Sequence, residues 1–91
     1  MAQNSAEIKA LIRENKQLFW YIPEHEKENI SKELLIETIF NYGDMDTVRK
    51  LLNILGRKEV ARIFFALQGR KKLNYFPETY NFFYLYLRNY A

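Results

Sequence analysis

The sequence predicts an all-α fold, a compact bundle of about five short helices in one domain of 91 residues. Three observations predict it. Apolar residues recur at i, i+3 and i+4 along most of the chain, the period of a helix with one buried face. Gly43, Gly56 and Gly69 each follow such a stripe and read as helix stops. Finally, three Gly, two Pro and no Cys leave too few turn residues for a β protein and no thiol for a disulfide or a thiolate zinc site.

Ser5 is placed to cap a first helix over about 6–16, with Ile8, Leu11 and Ile12 as its stripe; residues 1–5 are otherwise expected to be disordered. Leu18 to Ile22 form an apolar pentad closed by Pro23, and Tyr21 and Ile22 are expected to be extended ahead of that proline. The charged stretch 24–29 reads as a loop. Ser31 opens a second helix carrying Leu34, Leu35, Ile36, Ile39, Phe40 and Tyr42, and Gly43 is expected to end it in the left-handed conformation. Asp44 or Asp46 caps a third helix with the stripe Val48, Leu51, Leu52, Leu55, ended by Gly56. The fourth, over about 58–68, repeats the spacing as Val60, Ile63, Phe64, Leu67. Pro77 fits the first turn of the last helix, whose face is Tyr80, Phe83, Tyr84, Leu87. Segment 80–87 has the aromatic content of a strand, but its polar positions do not alternate.

No run of about 18 apolar residues is present, so no membrane span is expected, and the first residues lack the apolar core of a signal peptide. A cytoplasmic protein is the expectation. The lone His25 sits among Glu24, Glu26 and Glu28 with no second histidine to complete a metal motif. There is no glycine-rich phosphate loop, and one histidine in a charged loop builds no nucleophilic triad. No enzyme activity, metal or cofactor is expected.

Charge is uneven. Residues 1–43 carry a net −2 and residues 44–91 a net +5. Arg57, Lys58, Arg62, Arg70, Lys71 and Lys72 face only Glu59 within their stretch, a candidate site for nucleic acid or an acidic partner, or else a solvated face. Helices over 44–55 and 58–68 around Gly56 could form a DNA-binding helix-turn-helix with Arg57, Lys58 and Arg62 near the second helix's start. A plain αα-hairpin explains the same residues. The run Arg70-Lys71-Lys72 beside Tyr75 and Phe76 could clamp a single strand, or those rings could seal a core.

The chain has one Trp, seven Tyr and seven Phe. Phe19, Trp20, Phe40, Tyr42 and Phe64 lie where a five-helix core would use them. Tyr75, Phe76, Tyr80, Phe82, Phe83, Tyr84, Tyr86 and Tyr90 crowd the C-terminal end, more than one helix face buries. Phe82, Leu85 and Tyr86 fall largely opposite the core face. Exposed aromatic area marks a binding surface, so Tyr75, Phe76, Phe82 and Tyr86 are the candidate partner-binding residues. The partner expected is a protein or a second copy of the chain, with nucleic acid as the alternative.

The ordered set Leu18-Phe19-Trp20, Tyr42-Gly43-Asp44, Leu51-Leu52 with Gly56, and Asn81-Phe82-Phe83 resembles a small bacterial all-helical domain of unknown function. Genes for that domain often stand beside nucleotidyltransferase-type toxins of the AbiEii class. The resemblance spans about residues 18 to 87, with one departure at Tyr21, where the family tends to carry an acidic residue. It implies a non-enzymatic, antitoxin-like or accessory protein that binds a toxin enzyme, DNA, or both.

Overall fold

A computed structural model describes residues 5–66 and 74–90. Its elements are α1 (Ala6–Glu14), α2 (Lys32–Tyr42), α3 (Met45–Leu55), α4 (Arg57–Phe65) and α5 (Pro77–Leu87), with 3-10 turns at Lys16–Phe19, Glu24–Asn29 and Arg88–Tyr90. The fold is an all-α bundle. Its radius of gyration of 12.4 Å matches the roughly 12 Å of a compact chain this long.

Local chemistry sets most boundaries. The Ser5, Ser31 and Asp44 side chains accept hydrogen bonds from the backbone N–H of Ile8, Leu34 and Thr47, capping α1, α2 and α3. Pro77 occupies the first turn of α5, where a missing N–H costs nothing. α1 ends two residues early, because the Asn15 side chain donates to the Leu11 carbonyl and turns the chain out of the helix. Gly43 ends α2 without the left-handed conformation expected of it, at φ −83°. A Cβ there would lie 2.8 Å from the Ile39 carbonyl oxygen, so space, not φ, asks for glycine. Gly56 does have positive φ, +88° with ψ 139°, an extended region open to glycine alone. The fourth stripe's Leu67 and its stop Gly69 lie outside the described residues, as do residues 1–4.

Around Pro23 the chain departs from expectation. Tyr21 is in a turn, not extended: the Ile22 N–H donates to the Phe19 carbonyl across Trp20 and Tyr21. The proline restricts only its immediate neighbour. The turn sends Phe19 into the core and leaves Trp20 76% exposed, so Trp20 is not a core residue. The Tyr21 and Thr38 hydroxyl oxygens lie 2.6 Å apart, tying the turn to α2. The charged stretch after it forms a 3-10 helix that buries Lys27, whose Nζ donates to the Ile22 carbonyl at 2.7 Å. Burying an ammonium requires such partners.

α2 contributes most densely to the core. Leu35, Ile36, Thr38 and Ile39 are fully buried, facing Leu51 and Leu52 of α3, Val60 and Phe64 of α4, and Phe83 and Leu87 of α5 within one apolar cluster. Tyr42, the last residue of α2, is exposed, contrary to its expected core role, because the helix ends before another element covers it.

Candidate functional site: the outward face of α5

α5 divides its aromatic residues between two sides. Phe83 stacks on Phe40 with centroids 3.6 Å apart and planes 11° from parallel. Tyr80 stacks on Phe64 at 5.0 Å, and Leu87 is fully buried. Tyr84 was expected on this face but is exposed. It sits at the face's edge, with its ring against Phe65 at 5.4 Å.

The opposite side faces solvent. Phe82 is 51% and Leu85 56% exposed. The Phe82 and Tyr86 rings lie parallel, 6.3 Å apart, and Tyr86 meets Tyr90 at 6.4 Å, so the face continues past the end of α5. Beside Phe82 runs a groove of about 350 Å³, floored by Phe40, Val48 and Phe83 and edged by Asp44, Met45 and Glu78.

Two side-chain contacts hold the chain leading into α5. Asn41 donates to the Asn74 carbonyl at 2.9 Å and accepts from the Phe76 N–H at 3.2 Å. That clamp sets Phe76 on the surface, edge-on to Tyr42 at 5.5 Å. Burial raises the pKa of the Glu37 carboxyl on the same side of α2, while a hydrogen bond from Asn74 partly opposes it. Tyr75 goes inward. It is buried between Phe40 and Phe64, with centroids 6.5 and 5.4 Å away, and burial pushes its phenol pKa well above the usual range. Tyr75 is therefore a core residue, not a contact for a partner. Adjacent positions in an extended segment point to opposite sides, and Phe76 took the outer one.

Of the four candidate contacts, then, Phe76 and Phe82 are exposed, Tyr86 is half-buried and Tyr75 is withdrawn. Sequence reasoning missed Tyr42 and Met45 as members of this surface, and placed Leu85 opposite the core face without naming it a contact. Tyr42 and Met45 stand at helix ends, where stripe spacing carries no information. Leu85 was legible, three residues on from Phe82 on the same wheel face.

The basic candidates are more constrained than their number suggests. Arg62 donates two hydrogen bonds to Glu59, at 2.9 and 2.7 Å; the pairing lowers the Glu59 pKa and raises that of Arg62. Tyr86 beside the Arg57 guanidinium raises its pKa. Lys58 lines a shallow hollow of about 560 Å³ with Leu55, Gly56 and Tyr90. Arg70, Lys71 and Lys72 lie outside the described residues. The break between α3 and α4 is the single residue Gly56, whereas a helix-turn-helix uses a turn of three or four. His25 is exposed, with its Nε2 3.4 Å from Glu26. Among the described residues no cluster of His, Asp and Glu could hold a metal, and no helix is long and apolar enough to cross a membrane.

No protein-family model, curated protein or solved structure matches the chain.

Proposed function

We propose that this protein is a non-enzymatic interaction module whose binding surface is the outward face of α5 with Phe76 and the adjoining groove. One observation carries the reading: Phe82 and Leu85 hold large apolar side chains in solvent on a helix whose other side already supplies core contacts through Phe83 and Leu87. Residues kept in that state add little to folding and are free to be buried against a partner. Rings with few rotatable bonds and an adaptable Met45 suit such a surface.

The resemblance to domains encoded beside AbiEii-class toxins supplies a candidate partner, a nucleotidyltransferase-type toxin, and a bacterial cytoplasmic setting. The test is co-purification with the product of the adjacent gene. Phe82→Ala with Leu85→Ala should abolish capture and leave the helical spectrum unchanged; undiminished capture would reject the surface. DNA recognition through α3 and α4 gains no support from a one-residue break and an Arg62 already paired with Glu59.

A further inference from the structure

On that reading of the α5 face, we infer that its occupant is a second copy of this chain, bound as an antiparallel pair of α5 helices about a two-fold axis. Glu78, Phe82, Leu85 and Asn89 follow i, i+4, i+7 and i+11 along one line, with Asn81 and Arg88 beside it, and all six are exposed. The face is self-complementary in charge. Glu78 sits in the first turn of α5 and Arg88 at its C-terminal cap, ten residues or about 15 Å apart. Among the described residues neither has an ion-pair partner.

An antiparallel pair centred at the level of residue 83 sets Glu78 of each copy beside Arg88 of the other. The same register interleaves the apolar side chains. Along the pair they run Leu85, Phe82, then Phe82 and Leu85 of the opposite copies, within about 6 Å of axial length. The helix dipoles also run head to tail, each positive end beside the other's negative end. A two-fold interface uses one patch twice and therefore needs this kind of self-matching. A parallel pair would place Glu78 on Glu78 and Arg88 on Arg88.

Sedimentation equilibrium of the full chain from micromolar to millimolar concentration tests the pairing, using wild type, Glu78→Arg, Arg88→Glu and the double reversal. Wild type should dimerise. Each single reversal should raise the dimer dissociation constant roughly tenfold, since two attractions become two repulsions, and the double reversal should restore it. Both positions are exposed, so the helical spectrum should not change. A wild-type chain that stays monomeric at millimolar concentration overturns self-pairing, and leaves the face's role towards another protein to the co-purification test. A dimer indifferent to the single reversals, or not rescued by the double one, overturns the antiparallel register.

Discussion

Phe40 of α2 and Phe83 of α5 stack with their centroids 3.6 Å apart, while the preceding ring along the chain, Phe82, is 51% exposed. Two adjacent phenylalanines thus have separate jobs. Phe83→Ala should cost about 3–5 kcal/mol, the range for emptying a buried aromatic site. Phe82→Ala should cost about 1 kcal/mol or less. Urea unfolding of both variants checks the contrast, and equal losses would mean that the division of α5 into two faces is wrong.

Gly56 separates α3 from α4 at φ +88°, and a Cβ built there meets nothing within 4 Å. Gly56→Ala should therefore cost about 1–2 kcal/mol through backbone strain alone. An unchanged unfolding midpoint would indicate that the two helices meet differently.

Asp44 accepts from the backbone N–H and the hydroxyl of Thr47, and the backbone bond chiefly lowers its pKa. Glu24 is lowered by Lys16 and then Lys27, and Glu59 by Arg62. Each such group stabilises the fold above its unfolded pKa of about 4, and that contribution is lost as pH falls through the lower folded value. Glu37 has the opposite sign: its raised pKa favours the protonated fold, an advantage lost as pH rises through the folded value. Glu37 acts above its unfolded pKa, so below about pH 4 the three lowered carboxylates set the slope and stability falls with pH. Asp44→Asn keeps a capping oxygen without a titrating group, so it should flatten this acid limb while leaving the neutral-pH midpoint near wild type. Denaturant midpoints between pH 2 and 7 provide the check.

Trp20 is the sole tryptophan and is 76% exposed, edge-on to Tyr21 at 5.6 Å. Its emission should lie near that of free tryptophan, be quenched readily by iodide, and shift little on unfolding. A blue-shifted, protected emission in the monomer would place Trp20 in the core instead.

Helix starts were legible because capping is local: Ser5, Ser31, Asp44 and Pro77 announce themselves within four residues of chain. So was the core, since stripes of β-branched and leucine residues at helical spacing have one consistent use. The aromatic residues were less legible. Trp20, Tyr42 and Tyr75 had their sides exchanged relative to expectation, because each stands in a turn or at a helix end, where orientation follows from nonlocal contacts. The Asn41 clamp on Asn74 and Phe76 spans more than thirty residues and leaves no periodic trace. Lys27 reads as one more solvated charge until the turn before Pro23 presents the Ile22 carbonyl to it. The outward α5 face was partly legible, because Phe82 and Leu85 sit opposite Phe83 and Leu87 on any helical wheel.

The most direct test of that face as a binding surface is site-specific photocrosslinking in the native host, with benzoyl-phenylalanine placed at position 82 or 85, and at the exposed His25 as a control. A discrete protein adduct, whether a second copy or another chain, is expected from positions 82 and 85 and not from 25. No adduct at either α5 position, or the same adducts from position 25, would contradict the account.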